Sequence, residues 1–234
     1  MARYCLSDIH GCLFTFKEAL KSINFSKKDI LIIIGDMIDR HINSKGVIDL
    51  ILKMRKEGYT IICLSGNHED MLIRALWGDR EQEMNWFYNG GGECLKSYGY
   101  VDAGYTTPHW STFIPDEHKQ FLMELPLIHA EYPDYVFVHA GLDFWCGDPV
   151  KDSIAYTMVW ERYFTVNNSK LDGRMLITGH TPTHREDIID MVNGGSHAII
   201  DNGCVYKKDV MNHLTVFNLD DFELTFVKNC EEEE

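Results

Sequence analysis

The chain contains no uninterrupted apolar run of about 18 residues, so the sequence gives no candidate for a membrane-spanning helix. It opens MARYCLSDIHG and goes straight into a strand-like run, so no signal peptide is expected. Positive charge is scarce: 22 Lys and Arg face 36 Asp and Glu, for a net charge of -14. Such a surface repels phosphate backbones, which disfavours nucleic acid as a partner and requires any anionic substrate to meet a locally positive site. The chain lacks a CxxC pair, and its seven cysteines (5, 12, 63, 94, 146, 204 and 230) are odd in number. Reduced thiols and a cytoplasmic location are therefore expected rather than a disulfide framework. Internal repeats, low-complexity segments and linkers are also missing. Residues 1–230 are read as one domain, long enough to bury a substantial core, and residues 231–234 as a solvated acidic tail.

What is present is organised around ILIIIGDMIDR, Ile30 to Arg40. Five apolar residues end at Gly35, as in a short strand buried on both faces. Asp36, Asp39 and Arg40 then lie just past its end, where open α/β folds place their ligands. The same design recurs along the chain. Arg3–Leu6 is a strand candidate that empties into Ser7-Asp8-Ile9-His10-Gly11. Leu13, Phe16, Leu20 and Ile23 follow at helical spacing. Val47, Ile48, Ile51 and Met54 mark a second helix closed by Gly58, and Tyr59–Leu64 a strand that empties into Ser65-Gly66-Asn67-His68-Glu69. Two strand-helix-strand units in this order imply parallel pairing. Residues 70–125 are expected to form a helical insert flanking the site, with Asn89-Gly90-Gly91-Gly92 as a flexible turn. Trp86, Phe87 and Tyr88 are read as core rather than a substrate box. Hairpins are expected over 127–138 and 213–227. Strands ending at Val138, Thr178 and Ile200 deliver His139, His180 and Asp201, while the segment carrying Trp160-Glu161-Arg162 has no clear assignment.

Five strand ends thus carry Asp8/His10, Asp36/Asp39/Arg40, Asn67/His68, His139 and His180. Asp8 and His10 alone also fit a helix N-cap beside a surface histidine. Together, imidazole nitrogens with carboxylate and amide oxygens suit two divalent metal ions, manganese first, with iron or zinc as alternatives, rather than calcium. Two such ions about 3.5–4 Å apart can clamp a phosphoryl group and hold a bridging hydroxide for in-line attack. Asp8 and Asp36 cancel two of their four positive charges, and the remainder suits a phosphate dianion. Adjacent side chains diverge, so if Asn67 ligates metal, His68 can face the leaving group and protonate it. Asp39 would orient His68, while Arg40 and Arg162 would grip phosphate oxygens.

SDIHG, GDMIDR, SGNHE, VHAG and TGHT, in this order over residues 3–205, resemble the signature of the metallophosphoesterase superfamily in its phosphoprotein-phosphatase branch. NGGG at 89–92 and WER at 160–162 are similar to the compact bacterial and phage members, including lambda-type serine/threonine phosphatases. The resemblance implies a four-layer α/β/β/α sandwich with a di-metal site between two sheets. It implies Asp8, His10, Asp36, Asn67, His139 and His180 as ligands, with Asp36 bridging. It further implies His68 as the acid, Asp39 as its partner, and Arg40 and Arg162 as phosphate-binding residues. His41 stands where the family usually has glycine, and Ser65 where some relatives carry a phosphate-binding arginine. A surface role is expected for His41.

The expected activity is metal-dependent hydrolysis of phosphoserine and phosphothreonine in proteins, with no membrane partner. The alternative within the same chemistry is symmetrical hydrolysis of dinucleoside tetraphosphates. RNA end repair is disfavoured by the acidic charge. An inactive scaffold would have lost a ligand or the acid, and none is lost.

Overall fold

In the computed structural model, which describes all residues except 103, 105–107, 207–210 and 232–234, the apolar run Ile30–Ile34 forms β2. It is flanked by β1 (Arg3–Leu6) and β3 (Thr60–Leu64), both parallel to it, with Cys5 opposite Ile32 and Ile33 opposite Cys63. Parallel neighbours need crossovers, which α1 (Leu13–Ser22) and α2 (Ser44–Lys56) supply. The antiparallel hairpin β8 (His213–Asn218) and β9 (Leu224–Lys228) extends the sheet beyond β1, giving the order β3-β2-β1-β8-β9. A second sheet runs β4 (Ile128–His129), β5 (Tyr135–Val138), β6 (Met175–Thr178), β7 (His197–Ile199). Within it only β4 is antiparallel to its neighbour.

Side-chain alternation on these strands makes the layers. On β2, Leu31 and Ile33 face the helices, while Ile32 and Ile34 face the second sheet. Cys5, Ile32, Ile34 and Leu64 there meet Tyr135, Phe137, Met175 and Ile177. Val136 and Val138 point the other way, onto Met158, Val159 and Leu171. The result is the expected α/β/β/α arrangement. Each fully buried Ile or Phe between the sheets contributes about 1.5–3 kcal/mol, so the two sheets hold the strand ends between them in fixed relation.

The stretch 70–125 carries α3 (Asn67–Leu76), α4 (Arg80–Trp86), α5 (Gly92–Ser97) and α6 (Asp116–Met123), with irregular chain and one short 3-10 turn between α5 and α6 among the described residues. The Asn89–Gly92 segment is not the free turn expected from its glycines. It is a kinked helical connection between α4 and α5, with only Asn89 and Gly90 leaving helical dihedrals. Of the aromatic trio Trp86 is fully buried, but Phe87 and Tyr88 are 39% and 89% exposed, so the core reading holds for Trp86 alone. Further α-helices among the described residues are α7 (Pro149–Asp152), α8 (Ala155–Trp160) and α9 (Arg185–Gly194). The end of α8 at Trp160 places Glu161 and Arg162 at a helix exit. The expected solvated tail needs correction at Glu231. Its carboxylate is buried and accepts the Thr15 amide at 2.8 Å and the Thr15 hydroxyl at 3.1 Å. An anion is favoured there because the first turn of α1 has unpaired N–H groups. Residues 232–234 of that tail lie outside the described residues. Among the described residues no helix is long and apolar enough to cross a membrane.

Candidate active site

Asp8 and His10 leave β1, Asp36 to Arg40 leave β2, Asn67 and His68 follow β3, His139 follows β5, and His180 follows β6. Because β1, β2, β3, β5 and β6 are linked in parallel runs, these loops meet at one rim between the sheets. Asp8, His10, Asp36, Arg40, Arg162 and His180 line a single crevice. Asp39, Asn67, His68 and His139 are buried behind it. The first two loops are zipped together: His10 N–H donates to the Asp36 carbonyl at 2.9 Å and Gly11 N–H to the Met37 carbonyl at 3.0 Å. To turn this sharply, Asp8, His10, Asp36, Asp39, Arg40 and His180 all adopt positive φ, between 47° and 71°. Each such non-glycine residue costs roughly 1–2 kcal/mol.

The donor atoms converge. Asn67 Oδ1 lies 3.1 Å from His139 Nε2 and 2.9 Å from His180 Nδ1, and the two imidazole nitrogens are 3.2 Å apart. His139 Nε2 is also 3.4 Å from Asp36 Oδ1. The His139 Nδ1–H donates to the Ile34 carbonyl at 2.8 Å, which turns the Nε2 lone pair toward the cluster. On the opposite side His10 donates Nδ1–H to the Ile38 carbonyl at 3.0 Å. Its Nε2 then sits 3.5 Å from Asp36 Oδ2 and 3.8 Å from Asp8 Oδ1. Asp36 therefore belongs to two ligand groups, with His10 and His68 in one and with His139 and His180 in the other. With the imidazoles neutral, these facing lone pairs cannot satisfy one another, whereas a cation between them satisfies all. This buried mixture of nitrogen and oxygen donors fits two divalent ions. Asp8, His10 and Asp36 could hold one, and Asp36, Asn67, His139 and His180 the other.

Charge couples the same groups within the protein. Burial pushes the Asp36 carboxyl up, but the His139 and His68 imidazoles outweigh it and hold it well below the usual range. Burial lowers His139, yet the Asp36 and Asp8 charges push it up to about 10.

A second set of contacts centres on His68. Its Nδ1–H donates to Asp39 Oδ2 at 2.7 Å, and its Nε2 accepts from Arg40 Nε and Nη2 at 3.3 and 3.2 Å. Burial lowers the His68 pKa, but the Asp36 and Asp39 carboxylates raise it above the ordinary imidazole value. Asp39 is held in turn by Trp86 Nε1, and its own amide donates to Ser44 Oγ at 2.9 Å. Gly90 carries the backbone of the 89–92 kink against Arg40. A Cβ there would lie 2.5 Å from Arg40 N, and φ is 105°. Arg162, on the far rim, donates Nη1–H to the His180 carbonyl at 3.0 Å and to Thr181 Oγ1 at 3.2 Å.

Three contributors escaped the sequence reading. Glu69 accepts the Asp36, Met37 and Gly66 amides, each at 2.8 Å, and so shapes the loop that carries Asp36. Burial and the Asp36 charge push its carboxyl up to about 7. Its spacing from Gly66 is that of a capping-box acid at N3, which is a legible signal. Trp86 reaches Asp39 from the insert, and Tyr206 accepts from Arg40 Nη1 at 3.5 Å. Neither carries a sequence signal. Of the departures, His41 points its Nδ1 toward Glu231 at 4.0 Å, away from the ligand cluster. Ser65 is 4% exposed, and its amide donates to the Pro126 carbonyl.

Facing sheets with a histidine- and carboxylate-rich rim form the arrangement that the five sequence motifs anticipated. The chain belongs to the calcineurin-like phosphoesterases, whose family model matches residues 1–184. It is 42% identical over 74 residues to the symmetrical bis(5'-nucleosyl)-tetraphosphatase of Wigglesworthia glossinidia brevipalpis, covering 31% of this chain and 26% of that protein. Matches to other such tetraphosphatases, from two Acidovorax strains, span 46% of their length. It is 27% identical over 206 residues to serine/threonine-protein phosphatase 1 of Salmonella typhimurium, covering 87% of both chains. The fold is that of a solved protein serine/threonine phosphatase from Saccharomyces cerevisiae, with a TM-score of 0.63, 14% identity, and coverage of 100% of this chain and 82% of that one.

Proposed function

We propose that this phosphoesterase is a serine/threonine protein phosphatase that hydrolyses phosphomonoesters. The observation that carries the reading is the extent of the match to the Salmonella phosphatase, which runs through 87% of both chains and so includes the regions contributing His139, Arg162 and His180. When bound, two divalent cations, manganese by preference, would supply Lewis acidity and activate water. Asp8, His10, Asp36, Asn67, His139 and His180 would hold them, with Asp36 shared.

The chain's own residues do the rest. Arg40 and Arg162 both line the crevice and would offer planar donors to the phosphate oxygens. His68 would act from Nε2, the ring nitrogen away from Asp39, which takes on the donated proton once Arg40 no longer donates to it. Arg40 leans on His68 Nε2, so a phosphate that draws Arg40 away frees Nε2 for the leaving-group oxygen. Asp39 fixes the ring, and its charge stabilises the imidazolium that gives up the proton.

Symmetrical hydrolysis of dinucleoside tetraphosphates is the second reading, favoured by the higher local identity to the Wigglesworthia protein. The test is manganese-loaded enzyme on phosphoserine and phosphothreonine peptides beside diadenosine tetraphosphate, with a chelated control. A preference for peptides of about ten-fold in kcat/KM, or about 1.4 kcal/mol, supports the first reading, and the reverse preference selects the second.

A further inference from the structure

A cleft of about 620 Å3 opens next to the crevice, its walls including Leu142, Asp143, Trp145, Glu161, Tyr163 and Phe164. It shares a wall with the site. The Phe164 ring fills the space a Cβ on Gly141 would take, two residues after His139, and Glu161 directly precedes Arg162. Both segments that border the cleft therefore also deliver a ligand or a phosphate-binding group.

Two kinds of surface in the cleft are left without partners. The first is aromatic. Phe164 stacks on Phe144 with centroids 6.2 Å apart, but Trp145 and Tyr163 are 98% and 91% exposed. A tryptophan held in water forgoes most of its burial energy, and its face remains available to a cation or an apolar stem. The second is anionic. Asp143 Oδ1 accepts the Trp145 amide at 2.8 Å. Glu161 Oε1 accepts the Arg162 and Tyr163 amides at 3.0 and 2.9 Å. These bonds fix both carboxylates while engaging one oxygen of each. Among the described residues no lysine or arginine lines the cleft. Lys170, which reaches the same segment, donates its Nζ to the Phe144 and Cys146 carbonyls at 2.9 and 2.6 Å.

We propose that this cleft receives an arginine or lysine side chain of a phosphorylated protein segment, at a position flanking the phosphorylated residue. The inference rests on the protein-phosphatase reading and specifies its substrate class. A cationic side chain lays its stem on Trp145 and Tyr163 and meets the free oxygens of Asp143 and Glu161. An acidic flanking residue, or the further phosphates of a tetraphosphate, would meet like charge there. A nucleobase would stack on the aromatic faces but leave both carboxylates uncompensated.

The experiment uses the full-length manganese-loaded enzyme and matched phosphoserine peptides in which one flanking position at a time carries Arg, Ala or Glu. p-Nitrophenyl phosphate, too small to reach the cleft, reports catalytic integrity. At the best flanking position the wild-type enzyme is expected to prefer Arg over Glu by about ten-fold in kcat/KM, from one cation–π contact and one exposed ion pair. In Asp143→Asn/Trp145→Ala the preference is expected to fall below about three-fold, with p-nitrophenyl phosphate turnover within about two-fold of wild type. Equal turnover of the Arg and Glu peptides by the wild type overturns this inference while leaving the protein-phosphatase reading intact. A preference unchanged in the double variant overturns the assignment to this cleft. Hydrolysis of diadenosine tetraphosphate with no turnover of any peptide overturns both.

Discussion

Trp86 Nε1 donates to both oxygens of Asp39, at 2.9 and 3.0 Å, while Asp39 Oδ2 accepts the His68 Nδ1–H at 2.7 Å. A tryptophan from the helical insert thus fixes the plane of the carboxylate that orients the proposed acid. Trp86→Phe keeps most of the packing and removes the donor, and a hydrogen bond to a buried charge is worth about 1.5–3 kcal/mol. The variant is expected to lose about ten-fold or more in kcat on alkyl phosphates. His68→Ala should lose about 10²–10⁴-fold on the same substrates. On p-nitrophenyl phosphate, whose leaving group needs little protonation, both losses should shrink. Equal losses on the two substrate types would remove His68 from the acid role and Trp86 from its support.

Asp36→Asn should reduce bound metal at both positions, because Asp36 belongs to both ligand groups. Elemental analysis after dialysis should give far less than one ion per chain. Asp8→Asn should spare the ion held by Asn67, His139 and His180. Full metal content with near-normal turnover in Asp36→Asn would refute the shared position.

Gly90→Ala places a methyl against the Arg40 backbone at a dihedral that alanine rarely adopts. A stability loss of about 1–3 kcal/mol is expected, with a raised KM and unchanged metal content. Gly92, with open space around its Cβ direction and helical φ, is the control. Gly92→Ala should be neutral or stabilising by up to about 1 kcal/mol. Thermal unfolding and initial-rate measurements separate the two.

His197 on β7 is mostly enclosed, and burial pushes its pKa down to about 4. The ring is neutral in the fold near pH 6, while the unfolded chain takes up the proton below its ordinary value of about 6.5. The unfolded state therefore binds more protons between these two values. Stability contributed by the neutral ring is present above pH 6.5 and is lost as pH falls toward 4. The full span is worth at most about 3 kcal/mol. Urea unfolding at pH 7 and pH 5 should show a smaller acid loss in His197→Gln, which retains a partner for Thr178 Oγ1, than in the wild type. Identical acid losses would place the titration elsewhere.

The strand ends could be read from sequence because each couples an apolar run to polar residues beside glycine, and both signals are local. The β1, β2 and β3 pairing followed from crossovers whose helical periodicity is plain. Glu231 was not legible. Its burial depends on the first turn of α1, 216 residues away, offering unpaired N–H groups. The 89–92 kink misled for a related reason. Its glycines serve close approach to Arg40 rather than freedom of motion, and close approach is a property of the partner. Trp86 was legible as core but not as a donor, since an indole N–H declares itself only once a carboxylate is found within reach.

Six side chains of the site (Asp8, His10, Asp36, Asp39, Arg40 and His180) occupy backbone conformations suited to glycine. At about 1 kcal/mol each, the cost is comparable to the whole net stability of an ordinary domain. A library selected for heat resistance alone should therefore drift toward glycine at these six positions and lose turnover in doing so. Selection for turnover should instead gather its compensating substitutions far from the rim, in the layer between the two sheets.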